Sequence, residues 1–159
     1  MKKLNKKSKE ILATGLTFIS RFSLLPANFS PLGSLGFFGQ NAALYFGSIL
    51  LFDLVRGGFY SGFIFNYLAF AGYYFLGKIA KTEKQQLALL PIASLLFFLI
   101  SNFGVWLNWY PHNLTGLFDC YTLALPFYQN TLMGDLFFGY GFLAIKKIVK
   151  TKLTKVEIA

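Results

Sequence analysis

The stretch LALLPIASLLFFLISNFGVWLN, Leu87–Asn108, decides how the rest of the chain is read. It carries no charged side chain, and it matches the roughly 20 apolar residues that a helix needs to cross a bilayer core. Pro91 stands near its start, where a missing backbone donor is best tolerated. Its far end runs into Trp109 and Tyr110, which with Trp106 form the kind of aromatic belt found at a membrane surface. Such a segment predicts lipid around it.

The composition agrees with this reading. Of 159 residues, 55% are hydrophobic and 13% charged, Phe occurs 20 times, and the mean hydropathy is +0.54. A soluble domain carries about a quarter charged residues, because its surface must stay hydrated. The charges are also segregated. Lysines cluster in the first nine residues, at Lys78, Lys81 and Lys84, and from Lys146 to Lys155, with apolar sequence between. Loops held in the cytoplasm keep their lysines in this way. A net charge of +9 also raises nucleic acid, but basic and aromatic residues are not interleaved, so anionic lipid headgroups are the expected partner and nucleic acid is not. The expected fold is an all-α polytopic protein of the cell membrane. It has about six membrane segments, one or two of them short or broken, and both termini are cytoplasmic. One helical transmembrane domain, 11–149, lies between basic tails at 1–10 and 150–159.

Outward from Leu87 the segments follow. Ile11–Leu25 is a short first span, read as uncleaved rather than as a signal peptide, with Arg21 snorkelling to the surface. LPANFSP, Leu25–Pro31, breaks the helix. Leu32–Val55 reads either as one span or as two short helices, Leu32–Phe38 and Asn41–Val55. If both flanking lysine clusters are inside, an even number of crossings must lie between them, and the broken pair satisfies that count. RGGFYSG, Arg56–Gly62, is an outer turn, Phe63–Gly77 returns inward, and GKIAKTEKQQ, Gly77–Gln86, is a cytoplasmic loop. After Asn108, a surface-lying or re-entrant helix over Leu114–Leu125 is expected to stop at Pro126, and Leu132–Val149 is the last span.

Polar groups in so apolar a chain require a reason. A charge in hydrocarbon costs roughly 2.5–3.5 kcal/mol even on mild scales, so such residues face cavities, partners or the interface. Asp53 has Arg56 one helical turn away and can pair with it. Asp135 has no basic residue before Lys146 and is read as a cavity-facing contact. Amides glue helices or orient a neutral solute. Asn28, Asn113, Gln129 and Asn130 gather near the expected outer end, and Gln40, Asn66 and Asn102 lie within apolar segments. A lone Cys120 and a lone His112 cannot assemble a zinc site, and no metal or cofactor is expected. His112 can carry a proton or cap the loop. With Asp119 it is the one acid–base pair that a membrane enzyme could use, and the chain is read as a binder rather than an enzyme. The expected function is small-solute binding, as the substrate-recognition component of a transporter. The candidate site is Asn28, Asp53, Trp106, Trp109, Tyr110, His112, Asn113, Gln129, Asn130 and Asp135. A cation-bearing or amide-rich solute is expected, because Arg21 and Arg56 are the only basic residues off the inner face. The alternative is a structural or accessory protein that works through protein contacts and has no solute of its own.

The strings NFSPLGSLGFFG, Asn28–Gly39, and YPHNLTGLFDCYTLALPFYQNTLMGDLFF, Tyr110–Phe138, resemble the two signatures of a family of small bacterial integral membrane proteins of unknown function. The matching positions are Asn28, Pro31, Gly39, Tyr110, Pro111, Gly116, Cys120, Tyr121, Pro126, Asn130, Gly134 and Asp135. Departures fall at Phe52–Asp53 and Tyr128–Gln129. More distantly, the order of elements is similar to that of the substrate-binding subunits of energy-coupling-factor vitamin transporters. That resemblance implies a solute site open to the outside under the Leu25–Pro31 loop, with separate ATPase and transmembrane coupling subunits as partners.

Overall fold

The computed structural model describes residues 5–23, 25–39 and 41–157, so Lys2, Lys3 and Gln40 lie outside the described residues. The described chain is all-helical, with no strand. Its six helices are α1 (Lys6–Ser23), α2 (Leu32–Phe38), α3 (Ala42–Val55), α4 (Phe63–Ile79), α5 (Glu83–Trp109) and α6 (Leu114–Glu157).

Local chemistry sets most of the boundaries. Asn5, Asn41 and Asn113 each accept a bond from the backbone three residues on, Ser8 N at 2.8 Å, Leu44 N at 3.1 Å and Gly116 N at 2.8 Å. These are the orphan donors of a first helical turn. Thr82 and Gln85 form a reciprocal capping box that starts α5. The α3–α4 turn places Gly57, Gly58 and Gly62 at positive φ, which explains the glycine spacing of RGGFYSG. The helices also extend into the expected tails, since α1 begins at Lys6 and α6 reaches Glu157.

Leu32–Val55 holds two helices, α2 ending at Phe38 and α3 beginning at Ala42. They fold back on one another: Leu32 packs with Tyr45 and Ile49, and Gly36 faces the Tyr45 ring. At 1.5 Å per residue, α2 is about 10 Å long and α3 about 21 Å, so neither half spans a hydrocarbon core of roughly 30 Å. The short α2 is enclosed by its neighbours. Phe37 packs on Tyr73, Ala80, Leu90 and Ala93 of the α4–α5 hairpin, and Phe38 meets Phe142 of α6 with ring centroids 5.0 Å apart. Gly77 on α4 lets the backbone of Phe37 approach so closely that no Cβ fits between them.

Two expectations about proline are corrected. Pro126 does not end a helix, because α6 runs unbroken through it. The ring sits on an exposed face, while Cys120, Ala124, Asp135 and Leu143 hold the same helix into the core on both sides. Pro91 is not at a helix start, since α5 already begins at Glu83. An interior proline leaves the carbonyl four residues back unpaired. That carbonyl belongs to Leu87, and the Tyr140 hydroxyl donates to it at 2.8 Å.

By length and composition α5 is the one described helix able to cross a membrane, and α3 is a shorter apolar helix.

Candidate functional site

The ends of the helices define two poles. Lys78, Lys81 and Lys84 lie at the α4–α5 junction, Lys6, Lys7 and Lys9 at the start of α1, and Lys146 and Lys147 toward the end of α6. At the opposite pole lie the C-terminal ends of α1, α3 and α5 and the N-terminal ends of α4 and α6, together with the segment 25–31. Two adjoining cavities open there, of about 710 Å³ and 240 Å³. Arg21, Asn28, Phe52, Phe70, Phe97 and Thr131 line both and form the boundary between them.

The larger cavity has aromatic walls and polar corners. Phe52, Phe59, Phe70, Phe97, Phe98 and Phe127 supply apolar surface, and Phe98 lies 4.7 Å from Tyr128, centroid to centroid. Its polar corners are Arg21, Asn28, Asp53, Arg56, Tyr60, Asn66, Ser101, Asn102, Tyr110, Tyr128 and Thr131. Several of these are already engaged. The Tyr67 hydroxyl donates to Asp53 Oδ2 at 3.0 Å, Asn66 donates to the Tyr60 hydroxyl, and the Asn102 amide donates to Phe98 O at 2.8 Å. The expected Asp53–Arg56 pair is replaced by the Tyr67 bond.

Arg21 overturns its expected placement. It does not snorkel outward: its guanidinium lies 3.5 Å from the centroid of the Phe52 ring. Its Nη1 is the only buried side-chain nitrogen or oxygen among the described residues with no hydrogen-bond partner. Thr17 and Arg21 fall one turn apart on α1, and Thr17 is buried. The polar face of α1 therefore looks inward while Leu16 and Ile19, 61% and 63% exposed, look outward.

Asp135 sits at the floor of the smaller cavity, 1% exposed. Its Oδ2 accepts from the Ser94 hydroxyl at 2.6 Å and from the Tyr73 hydroxyl, while the Ser34 hydroxyl donates to its backbone carbonyl at 3.0 Å. One residue thus ties α6 to α2, α4 and α5. Gly33 makes room for it, since a Cβ there would collide with both the carboxylate and the Tyr73 ring.

Of the residues singled out from the sequence, Asn28, Asp53, Tyr110 and Asp135 line the cavities. Asn130 acts one step away, donating to Ala27 O at 3.0 Å and so holding the 25–31 segment. Asn28 in that segment has φ 66°, a left-handed conformation that asparagine tolerates better than most residues. Trp106, Trp109, His112, Asn113 and Gln129 line neither cavity. The Trp106 indole donates to Pro111 O at 3.0 Å, His112 rests on the Trp106 ring and bonds Leu107 O, and Asn113 caps α6. These three stitch the α5–α6 loop together. Asp119 is exposed and shares no hydrogen bond with His112, while Cys120 is buried with its thiol toward Asn102 O. The sequence reading missed Arg21, Tyr60, Ser101 and Thr131 as cavity residues. The signal for Arg21 was its register with Thr17, and for Ser101 and Asn102 their place on the α5 face that carries Phe97, Phe98 and Val105.

The arrangement defines an all-helical protein folded around a cavity with aromatic walls and charged and amide corners. The chain belongs to a family of unknown function, DUF6580, which matches residues 3–156. No curated protein and no solved structure matches it.

Proposed function

We propose that the protein is a multi-pass membrane protein that binds a small solute from the outer side, as the substrate-recognition component of a transporter. The observation that carries this reading is the 710 Å³ cavity at the pole opposite the lysines, with a buried guanidinium nitrogen left unpartnered at its wall. Ligand sites are concave, mostly apolar and equipped with a few placed polar groups. An intramembrane charge points to a functional site before a structural one.

The membrane reading rests on what the helices expose. Leu54, Ile64, Phe75, Leu114, Phe118, Leu123, Phe137 and Ile145 are all more than half exposed. Only 28% of the most apolar part of α5 is buried within the protein, unlike the core helix of a soluble domain. The lysines at the opposite pole then face the cytoplasm. In this topology α5, the one described helix long and apolar enough to cross on its own, is joined as a crossing helix by α1, α4 and α6, each shorter or less apolar, while α2 and α3 form a re-entrant pair that enters and leaves on the outer side. Irregular backbone at membrane depth is tolerated where protein or a cavity covers it, as around Gly39–Asn41. Energy would come from separate ATPase and transmembrane coupling subunits.

The test is to purify the protein in mild detergent, extract it, and identify any co-purifying small molecule by mass spectrometry. A stoichiometric solute lost on Asn28→Ala and Arg21→Gln supports the reading. An empty protein that repeatedly retains one membrane partner refutes it in favour of an accessory role.

A further inference from the structure

The chemistry of the cavity also narrows the solute, on the reading that the cavity binds one. Arg21 is held by stacking on Phe52 and, among the described residues, has neither an ion-pair partner nor, at Nη1, an acceptor. A buried donor left unmade is unfavourable, and a guanidinium matches the planar oxygens of a carboxylate. Asp53 lines the same cavity and bonds the Tyr67 hydroxyl; its charge acts on Arg21 across space without a hydrogen bond between them. The charged side chains lining the larger cavity are Arg21, Arg56 and Asp53, and Arg56 lies at the exposed rim. One net positive charge in the larger cavity suits a monoanion; a dianionic phosphate would leave excess negative charge beside Asp53 and near Asp135 at the floor of the adjoining cavity. On the apolar side, Phe52, Phe70 and Phe97 border both cavities, with Phe70 and Phe97 centroids 4.7 Å apart, so flat aromatic surface lies next to the guanidinium.

We propose that the solute is a small organic monocarboxylate with a ring-bearing body, its carboxylate bound by the Arg21 guanidinium and its ring against Phe52, Phe70 and Phe97. This departs from the preference for a cation-bearing or amide-rich solute drawn from the sequence. That preference rested on Arg21 and Arg56 being the only basic residues off the inner face.

The test compares three probes of one ring size and different charge, benzoate, benzamide and benzylamine, by calorimetric titration of the full chain in lipid nanodiscs. Benzoate is expected to bind at least roughly tenfold more tightly than either counterpart, as losing a hydrogen bond to a charged group implies. Arg21→Gln is expected to erase that preference. Should Arg21→Gln fail to elute as a single species, Arg21→Lys keeps a cation at the site and is expected to keep benzoate ahead of benzamide. Equal or tighter binding of benzamide or benzylamine overturns the carboxylate assignment and leaves the cavity a solute site. If no probe binds, the ring-bearing monocarboxylate is excluded; if no solute co-purifies either, the solute-binding reading falls with it.

Discussion

Asp135 is the position at which the folded state is most exposed to a single change, and a double-mutant cycle with Tyr73 measures why. In Asp135→Ala the Tyr73 hydroxyl, on a residue 1% exposed, loses its acceptor. Ser94 does not, because its hydroxyl also reaches Leu90 O at 3.2 Å. One stranded buried donor costs about 1–3 kcal/mol. With the small void left by the carboxyl, the expected loss is about 2–4 kcal/mol. Tyr73→Phe removes the donor and leaves Asp135 its Ser94 bond at 2.6 Å, so about 1–2 kcal/mol is expected. In the double variant no hydroxyl is stranded, and the total should fall short of the sum of the singles by about 1–3 kcal/mol. The assay is reversible unfolding of the purified protein in mixed micelles with increasing denaturing detergent, followed by far-UV circular dichroism. Additive losses, with coupling below about 0.5 kcal/mol, would refute the claim that this bond joins α4 to α6.

Two further predictions concern packing and orientation. Gly77→Ala drives a Cβ into the Phe37 carbonyl and must part α2 from α4, costing about 1–3 kcal/mol in the same unfolding assay. Gly47→Ala, with open space around it in α3, should be neutral or stabilise by up to about 1 kcal/mol; equal losses at both sites would refute the close approach at Gly77. For orientation, a Cys120→Ser background carries either His112→Cys or Lys81→Cys, both at exposed positions. A membrane-impermeant maleimide should label the first on intact cells and the second only after permeabilisation. The reverse pattern would invert the proposed topology.

Much of the architecture was legible because apolar and charged segments separate cleanly in the sequence. The lysine clusters, the glycines of RGGFYSG and the glycine-rich start of Leu32–Val55 correspond to the pole, the turn and the broken helix pair that the structure contains. The prolines misled, for a physical reason. Proline breaks a helix when nothing replaces its missing bond or holds the flanking turns. Tyr140 supplies the Leu87 carbonyl with a donor from 53 residues away, and burial on both sides of Pro126 keeps α6 continuous. Neither compensation is local, so no window around the proline contains it.

The site was legible only in part for a similar reason. Aromatic and polar residues in the Tyr110–Tyr121 stretch looked like a binding surface because rare groups gather there, yet Asn113 caps α6 and His112, Cys120 and Tyr121 reach backbone carbonyls of α5. The cavity is instead assembled from single residues contributed by five helices and by the segment that carries Asn28. Each looks ordinary in its own helix: Asn66 among phenylalanines, Ser101 beside Asn102, Arg21 four residues after Thr17. Arg21 shows the difficulty most directly. A cation near a helix end is satisfied by headgroups if its face meets lipid and needs a partner if its face meets protein. One helix of alternating Thr, Leu, Ile and Phe does not state which face that is. Phe18 and Phe22 pack against Phe52, joining α1 to α3 and setting α1 so that the guanidinium lies over the same Phe52 ring. The guanidinium at the cavity wall is therefore aimed by tertiary packing, which no pattern within α1 states.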